Sequence, residues 1–117
     1  MTDKPERHLA SVANIFSMMM KFKKAGDIHE GHSHSFDHLT LLATGKMKVV
    51  VDRKEKTFTA PHHIYIKAGV VHELTALEDN TIAFCIHVLR DGDDIVTPDM
   101  VPSGVKLNQL YEQLTKD

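Results

Sequence analysis

The sequence of 117 residues contains no tryptophan, a single cysteine and an aromatic content of only 6%. A lone cysteine, Cys85, excludes an internal disulfide and favours a reducing, cytoplasmic compartment. No apolar run reaches the roughly 20 residues of a membrane-spanning helix, and the polar N-terminus is unlike a signal peptide. A net charge of −2 gives no general attraction to nucleic acid or to an anionic membrane. We therefore expect neither nucleic acid nor a membrane as a partner.

Histidine, in contrast, is abundant, with nine residues of this type. Three of them, His32, His34 and His38, have the same parity, so an extended chain would direct all three side chains to one face. His34 and His38 are roughly 13 Å apart in a straight strand, so the chain must bend at residues 35–37 if the rings are to meet. His72 begins a later predicted strand, and it can complete the group if strands distant in sequence lie side by side. This pattern predicts a metal site.

Most of the chain, from about residue 17 to residue 90, has the pattern of short strands separated by turns. Residues 45–51 alternate lysine with apolar residues, as a half-buried strand does. Residues 52–54 are typical of a hairpin tip, and residues 81–89 form a long apolar run. Turn signals recur at intervals of roughly 8–12 residues, which predicts seven or eight strands of an all-β sandwich or barrel.

This size and pattern indicate a single domain with a segment at each end. Residues 1–16 lack clear periodicity, and we expect them to form an irregular N-terminal arm. The barrel is assigned to residues 17–92, and a C-terminal tail to residues 93–117. In the tail, apolar residues between Val105 and Leu114 recur at helical spacing. They predict a short amphipathic helix that packs on the outside of the barrel.

Two stretches of the sequence resemble the motifs of the cupin family. Residues 26–45 read G-x5-H-x-H-x3-H-x6-G, which is similar to the first cupin motif, G-x5-H-x-H-x3-4-E-x6-G. His38 occupies the position of the family's glutamate. Residues 61–76 are similar to the second motif, G-x5-P-x-G-x2-H-x3-N, of which Gly69 and His72 remain.

The resemblance covers about residues 17–90 and implies an all-β, cupin-type jelly-roll β-barrel. It also implies one divalent transition metal held by His32, His34, His38 and His72, as in small cupins with four histidine ligands. Iron, manganese, nickel, zinc and copper are the candidates, because ligation by nitrogen alone disfavours magnesium and calcium. Resemblance to cupins further implies a homodimer.

Four neutral imidazoles leave such an ion with its full positive charge, so it would attract a small anionic or enolate-like ligand. The leading hypothesis is a small metal-dependent dioxygenase or related oxidoreductase that acts on a small anionic or enolisable molecule. The alternatives are a non-oxidative metal-dependent isomerase or lyase, and a non-catalytic module that binds a metal or a metabolite. Because imidazoles bind metals only when neutral, metal loss is expected below about pH 6.

Other residues have weaker assignments. Phe36 and His87 are assigned to the substrate pocket. His87 is in phase with Cys85 in the last predicted strand, and it faces the pocket if that parity points inward; the opposite parity is more apolar. Cys85 is interpreted as a filler of the core. His62 and His63 are expected to be exposed.

Overall fold

The computed structural model describes residues 3–12, 14–30 and 38–88. These residues form strands and turns, and none of them lies in a helix that could span a bilayer. The strands are β1 (Glu6–Val12), β2 (Ile15–Phe22), β3 (Ile28–Glu30), β4 (His38–Thr44), β5 (Lys46–Val51), β6 (Lys54–Thr59), β7 (His62–Ile66), β8 (His72–Ala76) and β9 (Thr81–Val88).

The strands form two antiparallel sheets, and the chain passes repeatedly from one sheet to the other. The five-stranded sheet has the order β1-β2-β9-β4-β7, and the four-stranded sheet has the order β3-β8-β5-β6. Strands that follow each other in sequence, such as β4 and β5 or β8 and β9, lie in different sheets. Such crossings between two antiparallel sheets, over eight or more strands, are typical of a jelly roll. The predicted all-β jelly-roll fold is therefore confirmed.

The hydrophobic core lies between the two sheets and follows from the alternation of side chains along each strand. In β2, every second side chain is buried from Phe16 to Phe22, whereas the residues between them are partly or fully exposed. The predicted half-buried strand at residues 45–51 is confirmed as β5, with Met47 and Val49 buried. Each large apolar side chain buried in this way contributes about 1.5–3 kcal/mol.

One end of the space between the sheets is closed by two loops, at residues 23–27 and 77–80. The Ala25 amide donates to the Asp79 carboxylate at 2.8 Å and so joins the two loops. At this end Phe22 is fully buried. We call it the closed end.

At the opposite end, β5 and β6 are joined by a hairpin, as the sequence predicts. The pair Val51↔Lys54 closes the ladder, and only Asp52 and Arg53 lie between the two strands. Both have positive φ values, 50° and 66°. Two successive left-handed residues produce the turn that matches the twist of an antiparallel hairpin.

The N-terminal segment differs from its prediction. Instead of an irregular lead-in, residues 6–12 form β1, which pairs with β2 from Glu6↔Lys21 to Val12↔Ile15. The short strand β3 was not singled out, but β2 to β9 make eight strands, which agrees with the seven or eight predicted for residues 17–90, and β1 is additional. The tail at residues 93–117, with its predicted helix, lies outside the described residues, and the domain boundaries remain predictions.

Candidate metal centre

The structure describes part of the predicted ligand set. His72 is described in full, His38 by its backbone, whereas His32, His34 and the expected bend at residues 35–37 lie outside the described residues. Among the residues that are described, no group of three or more histidine, cysteine or carboxylate side chains converges as a metal site. The meeting of the four rings therefore stays a prediction.

His72 is the first residue of β8, where it pairs with Val51 of β5. Its side chain is only 2% exposed, and it shares the inward parity of the buried Leu74. The Nδ1 atom lies 3.4 Å from the carbonyl oxygen of Val70. A proton on Nδ1 directed at that oxygen leaves the lone pair on Nε2, which is the tautomer that metal-binding histidines commonly adopt.

His38 begins β4 and pairs with Ile66 of β7. It stands two residues before Thr40, whose side chain is fully buried. On the other side of β4, Leu39 pairs with Ile86.

The structure shows which alternate side chains of β9 point to the interior. Thr81, Ala83, Cys85 and His87 are buried, so this parity faces the interior. The His87 side chain is 4% exposed, and its ring lies 4.7 Å from that of Phe16, centroid to centroid. His87 is therefore an interior residue, at the same end of the sheets as His72. Phe36, the other residue assigned to the pocket, lies outside the described residues.

Cys85 lies one inward position before His87 and faces Thr40 across the strands. The Thr40 Oγ1 atom is 3.5 Å from Cys85 Sγ. Burial raises the pKa of the Cys85 thiol to about 11, although the Thr40 hydrogen bond acts in the opposite direction. A thiol of this kind is neutral near pH 7 and a poor nucleophile. The interpretation of Cys85 as a filler of the core agrees with this environment.

A further histidine, His29, was given no role by the sequence analysis. It lies in β3 opposite Leu74, so it has inward parity, and its side chain is partly buried. Alternation alone would not have revealed it, because the pattern would place its apolar neighbour Ile28 inward. His62 and His63 are exposed, as expected, and the His62 ring packs on Phe58 at 4.8 Å.

The chemistry of this end suits a transition metal. His72 and His87 are buried in opposite sheets, among side chains such as Phe16 and Leu74. An imidazole ligates a metal through a deprotonated ring nitrogen, and both rings are of this ligand type. Nitrogen donors suit zinc, copper, iron and nickel better than magnesium or calcium.

Comparison with solved structures identifies the class of fold. The chain is similar to a cupin 2 domain-containing protein from Halorhodospira halophila, with a TM-score of 0.67 and 16% identity over 96% of this chain and 77% of that chain. KdgF from Halomonas sp. gives a TM-score of 0.59 and 16% identity, over 74% of this chain and 79% of that chain. A mutant of Bacillus subtilis oxalate decarboxylase gives 0.66 and 18%, over 80% of this chain and 28% of that chain.

The chain therefore has the cupin jelly-roll fold, and the resemblance of its motifs to those of cupins is confirmed at the level of the fold. No protein-family model matches the sequence, and no curated protein matches it significantly.

Proposed function

We propose that this cupin binds a divalent transition metal through His32, His34, His38 and His72. We further propose that it is a small metal-dependent dioxygenase or related oxidoreductase acting on a small anionic or enolisable molecule. The observation that carries the proposal is the burial of His72, which is 2% exposed on the interior side of β8. It is the residue that corresponds to the histidine of the second cupin motif.

The residues around the proposed site have distinct tasks. The Val70 carbonyl orients the His72 ring through Nδ1. Phe16, packed against His87, shields this end from water. His87 itself lies in the opposite sheet, where it is positioned to donate a hydrogen bond to an anionic ligand. A bound metal would supply Lewis-acid chemistry and, if it is redox-active, electron transfer.

A non-oxidative lyase or isomerase is the second candidate. It is favoured by the similarity of the fold to an oxalate decarboxylase, which has a TM-score of 0.66. Such a reaction requires a group that moves a proton. Cys85 does not suit this task near neutral pH, because burial raises its thiol pKa to about 11. His87 is the buried histidine that would take this role.

Metal binding is tested by elemental analysis of the full chain as purified, and by titration of the metal-stripped chain with Mn²⁺, Fe²⁺, Ni²⁺, Zn²⁺ and Cu²⁺. We expect about one ion per chain. The affinity should fall by more than about 100-fold in His72→Ala, because loss of a residue that only hydrogen-bonds to a ligand already lowers metal affinity by about 10–100-fold. The control is His8→Ala, which removes an exposed histidine on β1. Equal affinities in the two variants would exclude His72 as a ligand.

The reaction class is tested on the metal-loaded chain. Oxygen uptake with small hydroxy, keto or enolisable acids, absent in His72→Ala, supports the oxidoreductase. Turnover of such acids without oxygen uptake supports the lyase or isomerase. Metal binding with no turnover of either kind would contradict the proposed activity and indicate a binding module instead.

A further inference from the structure

The outward side of the five-stranded sheet is largely apolar over its central strands β2, β9 and β4, with Ser17 and Lys21 as polar exceptions in β2. The pairs Met19↔Phe84 and Leu41↔Phe84 lie in one row across these strands, and Leu39↔Ile86 lies in the next. Ile15 is 45% exposed and Leu39 is 38% exposed. We call this surface the outer apolar face; its side chains are Ile15, Met19, Leu39, Leu41, Phe84 and Ile86.

The outward side of the four-stranded sheet is different. Its cross-strand pairs include Lys48↔Thr57 and Val50↔Glu73, with polar or charged side chains at most positions. Antiparallel sheets commonly expose such a polar side to water. The outer apolar face has the opposite composition, over about 13 Å along β9 and about 10 Å from β2 to β4. Adjacent apolar side chains on the outside of a protein commonly mark a surface that contacts another segment or molecule.

The chain itself supplies a segment that can cover this surface. Strand β9 ends at Val88 in the middle of the five-stranded sheet, and residues 89–117 follow it. Among them, Leu107, Leu110, Tyr111 and Leu114 recur three or four residues apart. On a helix these four side chains fall within an arc of about 100°, which makes one apolar stripe.

The connection is long enough for the segment to reach any part of the outer apolar face. At about 3.3 Å per residue, residues 89–106 can extend to about 60 Å, whereas five strands are about 19 Å wide. A helix over residues 107–114 is about 12 Å long, which fits within the length of β9.

We propose that residues 107–114 form an amphipathic helix that packs its apolar stripe on the outer apolar face of the same chain. The outer apolar face and the apolar stripe of the helix would each be exposed to water if they were apart, and their contact removes both from water. If two copies of the sheet joined face to face, the stripe of each tail would remain uncovered. A tethered segment also has an effective concentration in the millimolar range, which favours contact within the chain. This inference does not depend on the proposed metal site.

Cysteine cross-linking in the full chain tests the proposal, because the native Cys85 is buried and has a raised thiol pKa. The test variant combines Leu110→Cys with Leu39→Cys on the outer apolar face. The control combines Leu110→Cys with Thr57→Cys, an exposed position on the outward side of the other sheet. Mild oxidation should give an intramolecular disulfide in the test variant at least tenfold faster than in the control, measured by mass spectrometry and non-reducing electrophoresis.

Two results would overturn the proposal. Equal rates in the two variants would mean that the tail has no preference for this face. A cross-linked dimer that forms faster as protein concentration rises would mean that a second copy of the chain covers the face.

A pair of single substitutions gives an independent readout. Leu110→Asp places a charge in the apolar stripe, whereas Gln109→Asp places the same charge on the opposite side of the helix. We expect the first variant alone to bind an apolar fluorescent dye more strongly than the parent chain, by several-fold. An equal response of both variants, or of neither, would contradict the contact.

Discussion

The inner side of strand β9 connects two ends of the molecule that differ in chemistry. At the closed end it presents Thr81 and Ala83, which are fully buried. At the other end, which we call the histidine end, it presents His87, with Cys85 between the two regions. The closed end holds tightly packed apolar side chains, and the histidine end holds buried polar rings. This difference indicates that the apolar packing and the buried histidine are separated along the same strand.

The four-stranded sheet has the same division. Strand β8 begins with His72 at the histidine end and finishes with Ala76, which is fully buried at the closed end. Ala76 pairs with Met47 of β5, also fully buried. A packed closed end holds the strands in register, and the register positions the histidines at the opposite end. The separation predicts that substitutions at the closed end alter stability and leave metal affinity unchanged.

The largest effect is expected from Leu42→Ala in β4. Leu42 is fully buried, and it pairs with Ala83 of β9, so truncation leaves a cavity inside the closed end. The free energy of unfolding should fall by about 2–5 kcal/mol in urea denaturation. Leu77→Ala is the control, because Leu77 is 38% exposed, and it should cost less than about 1 kcal/mol. A folded Leu42→Ala protein that has lost metal affinity would show that the two ends are not separable.

An effect of similar size is expected from Gly45→Ala, in the turn between β4 and β5. Gly45 has a φ of +86°, and a Cβ atom there would lie 2.9 Å from Thr81 Cα and would also collide with Thr81 Oγ1. The left-handed backbone costs alanine about 1–2 kcal/mol. The collision adds about 1–3 kcal/mol by overpacking.

Gly69→Ala provides a matched control for Gly45→Ala. Gly69 has a similar φ of +79°, but a Cβ atom there would meet nothing within 4 Å. Only the backbone cost of about 1–2 kcal/mol should remain. Equal losses in the two variants, measured by urea denaturation, would mean that contact with Thr81 contributes nothing.

Strands β5 and β1 differ in how well the sequence predicts them. Strand β5 was predicted because lysines alternate with buried Met47 and Val49, so one side of the strand meets water and the other meets the core. Strand β1 was missed because it lies at the edge of its sheet, where Leu9 alone among the side chains described for this strand enters the core cluster. Few core contacts leave little alternation in the sequence.

The inward parity of β9 could not be read from hydrophobicity. The outward side chains, such as Phe84 and Ile86, are more apolar than the inward ones, which include Thr81 and His87. In β9 the more apolar side chains face outward and the more polar ones face inward, which is the opposite of the usual pattern. Motif spacing, in contrast, identified His72 as an interior residue, because it records the architecture of a site rather than the average polarity of a strand.

An intermediate effect is expected from Cys85, which lies between the two ends. Its thiol pKa is raised from 9.0 to about 11 in the folded chain, so the unfolded chain ionises first as the pH rises. The Cys85 contribution is fully present below pH 9, and it decreases between about pH 9 and 11 by about 1.4 kcal/mol per pH unit. The difference in unfolding free energy between the parent chain and Cys85→Ala should narrow over that range. A difference that stays constant would mean that the thiol is not buried.

The smallest effect is expected from Thr40→Val, which removes the hydroxyl that faces Cys85 and nearly keeps the side-chain volume. The Thr40 Oγ1 to Cys85 Sγ distance is 3.5 Å, and hydrogen bonds of this kind contribute at most about 1 kcal/mol. Because this bond lowers the thiol pKa, its loss should raise that pKa further and shift the thiolate ultraviolet absorbance to higher pH. Unchanged absorbance would show that Thr40 does not bond the thiolate. A loss of metal in this variant would extend the histidine end inward to Thr40, since the substitution leaves the apolar packing of the closed end in place.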